Sequence, residues 1–392
     1  MSQSLPLTGV RVLEFGQIAA GPFAGSLMAD LGADVVKVER PDGGDGMRSW
    51  PPISENANGE VFSENFASLN RNKRSITADL KDPADVSHLL QLARRCDVIV
   101  ENFRPGVLDR LGLGYHDVAT INPTLVYCSI SGFGQTGPYC AKGAFDVTVQ
   151  GMSGLMSVTG EPGGNPVKCG VPVGDFCAGL YAGYSILAKL MQVRAGGRGG
   201  HIDSSMLGSL IGVAALQTSE YFGNGTAPQA LGSAHPRNAP YQAYKASDDY
   251  FIIAAGNNKL WAKVAEAVGL PELANDARFA TQQLRATNQQ ELLRLLQPEF
   301  EKQTAAYWLD AMDGHGVPCS PINNYPEILN NEHVQHLNLV RPLTLPNGVD
   351  TRTTAFPVAI DGYEFSVYRE PPELGAHNSE VSGEWLADRD RN

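Results

Sequence analysis

The chain is 392 residues long, 43% apolar and 18% charged, with a formal net charge of −12. That length allows two or three domains with a sizeable core, and the composition excludes a disordered or collagen-like chain. The acidic balance argues against a general nucleic-acid or membrane-surface role, and no uninterrupted apolar run reaches the roughly 18 residues of a membrane span. Residues 1–7 lack the basic start and apolar run of a signal peptide. Six scattered cysteines with no CxxC pair fit reduced thiols, so a cytoplasmic protein without a disulfide frame or zinc site is expected.

In chain order, residues 10–15 read as a short apolar strand, followed by a glycine-containing turn and a helix over 22–31. DVVKVE (34–39) is the next strand. Asp82 and Pro83 form a preferred helix start, and that helix leads into the strand DVIVE (97–101). LVYCSI (125–130) is a further strand. Repeated βα units of this kind predict an α/β fold with a parallel sheet and helices on both faces. Residues 145–156 look helical. Asp175 begins a long apolar helix to about 193, closed by GGRGG, and 204–216 is another apolar helix.

The composition shifts near Gly223, and 224–240 reads as a polar linker. Beyond it, 241–245 and 250–255 suggest a hairpin, followed by amphipathic helices at 259–268, 288–296 and 304–312. The expected organisation is a large domain over 1–224, a small α+β domain over 225–330, and a segment 331–392 that returns to the large domain.

The glycines of FGQIAAGPFAG sit at 16, 21 and 25, so the dinucleotide fingerprint GxGxxG is absent. No phosphate loop or nucleophile elbow occurs, and the pair His333 and His336 has no third metal ligand close by. What remains is a set of basic residues near strand ends: Arg40, Arg71, Lys73, Arg74, Lys81, Arg104 and Arg110. Ligands in open α/β sheets bind beyond the carboxyl ends of the strands, where arginines hold phosphates by bidentate contacts. GDFCAG places Asp175 at a helix start. An N-cap is one reading of that aspartate; a nucleophilic carboxylate, able to attack a thioester carbonyl, is the other.

At LGADVVKVERP (31–41), NRNKRSITADLK (70–81), DVIVENFRPGVLDRLG (97–112), SISGFGQTGPY (129–139) and GDFCAG (174–179), the sequence resembles the class III coenzyme A transferases. The resemblance implies a homodimer of two interlocked chains, each with a Rossmann-like large domain built from both chain ends and a smaller domain from the middle. It implies coenzyme A contacts at Arg40, Ala78 to Lys81, Asn102, Phe103, Arg104, Arg110 and the turn from Gly143 to Asp146. Arg71, Lys73 and Arg74 are then expected to steer or support the fold. Asp175 falls on the family's catalytic aspartate, which carries a mixed anhydride and then a CoA thioester. CoA is thus a substrate, and no resident cofactor or metal is implied.

A loop such as 255–257, with Gly256 at its centre, could supply oxyanion donors. Formyl-CoA transferases carry a glutamine where Ala19 stands here, which speaks against a formate and oxalate pair. The α-methylacyl-CoA racemases share the fold but use a histidine–aspartate pair where this chain has Phe145 and Asp146, and phenylalanine cannot exchange a proton. A racemase-like enzyme and a non-catalytic CoA-binding protein are the alternatives. His235, Arg237 and Asn238 could meet a second carboxylate, which would favour a dicarboxylate such as succinate.

Overall fold

The computed structural model describes residues 5–387, which divide into two compact units. Among the described residues the first comprises 5–155, 168–225 and 332–387, and the second 156–167 and 226–331. In the first unit β1 (Arg11–Phe15), α1 (Ala20–Asp30) and β2 (Asp34–Glu39) open a six-stranded sheet. It continues with β3 (Lys73–Thr77), α2 (Pro83–Ala93), β4 (Val98–Glu101) and β5 (Val126–Ser131). After α3 (Asp146–Met152) and the 22-residue α4 (Val173–Arg194), β6 (Gly200–Ser205) closes the sheet, and α5 (Met206–Val213) follows.

All five pairings are parallel, in the order β3-β2-β1-β4-β5-β6. That is the Rossmann order, and it reverses between β1 and β4. Alternate residues serve opposite faces, as the strand period demands. Val12, Val35, Val98 and Val126 pack with α1 and α4. Leu13, Val36, Ile99 and Tyr127 pack with α2 and with Val381 and Trp385 near the other end of the chain. Trp385 donates from Nε1 to Asp34 Oδ2 at 2.8 Å, a tie across 351 residues of sequence.

Two strands of this sheet are absent from the sequence reading. KRSIT forms β3, in a stretch read only for its cations, and GHIDSS forms β6, between the glycine-rich turn and the helix expected from 204. For three of the basic residues near strand ends the anion-site reading gives way to the fold-supporting role that the resemblance implies. Arg71, Lys73 and Arg74 are buried, and each meets a carboxylate: Asp30 at 2.6 Å, Glu14 at 2.7 Å, and Asp34 together with Glu380 and Glu384.

The glycines of the first turn serve packing. A Cβ at Gly16 would fall 2.9 Å from Pro22 Cδ, and one at Gly21 would fall 3.0 Å from Gly16 Cα. Their absence lets α1 start directly at the strand end.

The second unit carries an antiparallel sheet of Tyr241–Lys245, Tyr250–Ala254 and Cys319–Pro321. Its core is aromatic: Phe300 packs against Tyr244, Phe251 and Trp308, with ring centroids 4.7–5.2 Å apart. Gly256 precedes Asn257, whose Oδ1 caps the helix Asn258–Ala267 by accepting from Leu260 N. His333 and His336 stack on each other, and no group of three metal-ligating side chains occurs among the described residues. Nor is any described helix long and apolar enough to cross a membrane.

Candidate active site

The strand order reverses between the carboxyl ends of β1 and β4, and a crevice opens there. It holds a cavity of about 310 Å³ walled by Gln17 to Ala20, Asn102 to Pro105, Lys142, Phe145, Asp146 and Asp175. The structure therefore brings Asn102, Phe103, Arg104, Asp146 and Asp175 together. Gly143 stands beside them, since a Cβ there would fall 3.0 Å from the Arg104 guanidinium. Arg40, Ala78, Lys81 and Arg110 lie outside this cavity. Arg40, Lys81 and Arg110 are exposed, whereas Ala78 is buried and donates its N–H to Glu39 O.

Asp175 is on the first turn of α4 but does not cap it. The helix begins at Val173 with Pro172 at the cap position, so the N-cap reading is set aside. The half-buried carboxyl accepts no side-chain or backbone hydrogen bond among the described residues. Burial, and next the nearby charge of Asp146, push Asp175 up to about 6. A helix N-terminus would favour the ionised form, so desolvation is the stronger influence here.

Asp146 is committed to holding its neighbour in place. Its Oδ1 accepts from Gly174 N at 2.8 Å and its Oδ2 from Gln150 Nε2 at 2.6 Å. The residue preceding the candidate nucleophile is thus tied to the start of α3. Gly174 has no room for a side chain, because a Cβ would sit 2.9 Å from that same Oδ1.

Asn102 is similarly occupied. Its Oδ1 accepts from Gln17 N at 2.8 Å and its Nδ2 donates to Gln17 O at 2.9 Å, clamping the turn after β1 to the loop after β4. Phe103 N donates to Glu101 Oε2 at 2.8 Å, which fixes the loop that presents Arg104. Phe145, 74% exposed, lines the same cavity, and its side chain has no group that can exchange a proton.

Sequence reasoning missed Lys142, Ile18 and the carboxylate behind Ile18. Lys142 sits in SISGFGQTGPYCAKG, one residue before the expected turn, and as the only cation of that glycine-rich stretch it was an available signal.

If Asp175 must be ionised to react, the rate below about pH 6 should fall tenfold per pH unit. Asp146→Asn should move that limb to lower pH, because one source of repulsion is gone. A pH–rate profile of both proteins checks this, and a limb that stays in place would remove Asp146 as a cause.

The chain also matches a family model, "CoA-transferase family III", over residues 7–378. It belongs to that family. It is 39% identical over 381 residues to a succinate–glutarate CoA-transferase of Agrobacterium fabrum, covering 97% of this chain and 95% of that protein. A succinyl-CoA:glutarate CoA-transferase of Homo sapiens is 38% identical over 391 residues, covering 100% of this chain and 88% of the relative. The crystal structure of a CAIB/BAIF family protein from Brucella suis superposes with a TM-score of 0.86 at 38% identity, covering 98% and 100% of the two chains. This chain is therefore a class III CoA-transferase, an enzyme acting on CoA thioesters.

Proposed function

We propose that this CoA-transferase moves coenzyme A from succinyl-CoA, or a similar dicarboxylyl-CoA, to a dicarboxylic acid through a thioester on Asp175. The observation that carries the reading is Asp175 itself. It is a half-buried carboxylate with no hydrogen bond to spend, facing the cavity that also holds Asn102 to Arg104. The names of the relatives support the dicarboxylates.

The carboxylate attacks the donor thioester carbonyl, the C–S bond breaks, and a mixed anhydride and CoA thiolate result. The thiolate attacks the Asp175 acyl carbon and expels the donor acid, leaving Asp175 as the CoA thioester. The acceptor carboxylate then attacks that thioester, and the same two steps in reverse release acyl-CoA and regenerate Asp175. Each step exchanges one acyl–oxygen or acyl–sulfur bond for another, so no net proton is taken up.

The exposed cations Arg40, Lys81, Arg104 and Arg110 suit the phosphates of CoA, with the Ala78 backbone and Phe103 against its other parts. Asn102, Gly143 and Asp146 contribute by the shape they hold. The same reading includes an interlocked homodimer whose large domain is built from both chain ends, with 225–330 as the small domain. Its support is the apolar exposure of the helices, with Tyr184 at 75% and Met191 at 73% on α4. Isolated monomers seldom expose contiguous apolar faces of this kind.

Intact-protein mass spectrometry after mixing with succinyl-CoA tests the covalent step. A CoA adduct mapping to Asp175 is expected. Absence of an adduct with every acyl-CoA tried, despite CoA binding, would overturn the reading in favour of a CoA-binding protein.

For the acceptor, Arg237 lies in a cleft of the second unit beside Gln282 and Gln283, and a charge-assisted bond to a carboxylate suits that lining. Arg237→Ala should raise the KM of a dicarboxylate acceptor about tenfold more than that of a monocarboxylate. Equal effects on both would remove Arg237 from the acceptor site.

A further inference from the structure

Three successive residues of the turn after β1 are each pinned by a different side chain. Lys37 Nζ donates to Gly16 O at 2.6 Å. Asn102 takes both backbone groups of Gln17. Ile18 N donates to the carboxylate of Asp45, 3.2 Å from Oδ1 and 3.1 Å from Oδ2. Ile18 itself has φ of 64°, a left-handed conformation that a β-branched side chain very rarely adopts. It persists only where surrounding contacts enforce it, and such positions cluster at reactive sites.

Asp45 is built to do the enforcing. It is 2% exposed, and its carboxylate also pairs with Lys37 at 2.9 Å and accepts from Met47 N. Its own N–H donates to Glu39 Oε2, which is held in turn by Arg48. Burial raises its pKa, but Lys37 and the N–H groups of Met47 and Ile18 outweigh that and hold it below the usual aspartate range. Asp45 does not line the cavity, whereas Gln17, Ile18, Ala19 and Ala20 all do, as does Asp175.

We infer that Asp45 is a positioning residue for the reaction: its carboxylate locks Ile18 in the left-handed conformation that sets part of the wall of the cavity that Asp175 also lines. The inference rests on the Asp175 chemistry proposed above. Displacing such a wall by about 1 Å is enough to cost two orders of magnitude in rate without touching the reacting atoms. The competing role is purely structural, with Asp45 serving only as cap of the short helix Gly46–Ser49 and as a partner of Lys37.

A double-mutant cycle between Asp45 and Ile18 separates the two. Glycine adopts the left-handed conformation without steric cost, so in the Ile18→Gly background the lock has little left to enforce. Asp45→Ala in the native background should lower kcat roughly 100-fold with the KM for succinyl-CoA changed less than about threefold. In the Ile18→Gly background the same substitution should lower kcat about tenfold less. Equal losses in both backgrounds, or no loss, would overturn the inference. If Asp45→Ala does not fold, Asp45→Asn, of the same size, carries the same cycle. Native protein that transfers no CoA and forms no adduct would sink the functional reading as well. Native protein that transfers normally while the cycle shows no coupling would sink only the role of Asp45.

Discussion

Asp175→Ala is expected to abolish CoA transfer, by about 10⁴-fold or more, while CoA binding changes less than about threefold. In the proposed mechanism Asp175 makes the covalent bond, whereas three of the four cations assigned to the phosphates, Arg40, Lys81 and Arg110, lie outside its cavity. Asp175→Asn should be equally inactive, and it should also be more stable. The native carboxyl is raised to about 6 by burial, so the folded protein keeps this proton to a higher pH than the unfolded chain does. Stability therefore falls as pH rises through the window from about 4 to 6, and the full penalty of roughly 3 kcal/mol is present at pH 7.5. Asparagine never ionises and escapes it. Denaturant titrations should show the variant ahead at pH 7.5 and level with the native protein near pH 4. An equal difference at both pH values would mean that the charge on Asp175 is not what costs stability. Measured transfer activity surviving in Asp175→Ala would end the covalent mechanism.

Much of this was legible in the sequence because the sheet centre is apolar. RVLEF, DVVKVE, VIVE and VYCSIS are runs of buried residues, and they form β1, β2, β4 and β5. KRSIT escaped because its buried side chains are cations, neutralised by carboxylates that arrive from distant parts of the chain, Glu380 and Glu384 among them. No local pattern announces a partner three hundred residues away. One pair could have been found. Glu14 and Lys37 each follow a run of apolar residues inside their strands, and adjacent parallel strands place them in register. GDFCAG marked Asp175, since a carboxylate between glycines at a helix start is a legible chemical arrangement. The conformation of Ile18 was not, because nothing about an isoleucine suggests a positive φ, and the force that imposes it comes from Asp45, 27 residues on.

The same buried charges make Gly25→Ala an expected case of a single methyl with a large effect. Gly25 is inside α1, where alanine should ordinarily gain up to about 1 kcal/mol over glycine. Here a Cβ would collide with Glu14 Oε2 and lie 3.3 Å from Lys73 Nζ. Glu14 is the shared partner of Lys37 at 3.1 Å and Lys73 at 2.7 Å, and all three side chains are fully buried. Burial, helped by the nearby charge of Lys37, pushes Lys73 down to about 8 even with Glu14 in place. Moving the carboxylate would break both pairs inside the protein, at a cost of about 3–5 kcal/mol. That exceeds the propensity gain, so a net loss of at least 2 kcal/mol is expected, seen as a fall of several degrees in melting temperature. Gly183→Ala in α4 is the matched control. A Cβ there meets only Leu27 Cδ1, at an ordinary 3.7 Å, so this variant should be neutral or slightly stabilising. If Gly25→Ala melts with the control, the Glu14 site tolerates displacement. The buried network behind the turn would then be looser than its distances imply, and the rigidity that Ile18 and Asp45 require would have to come from Asn102 instead.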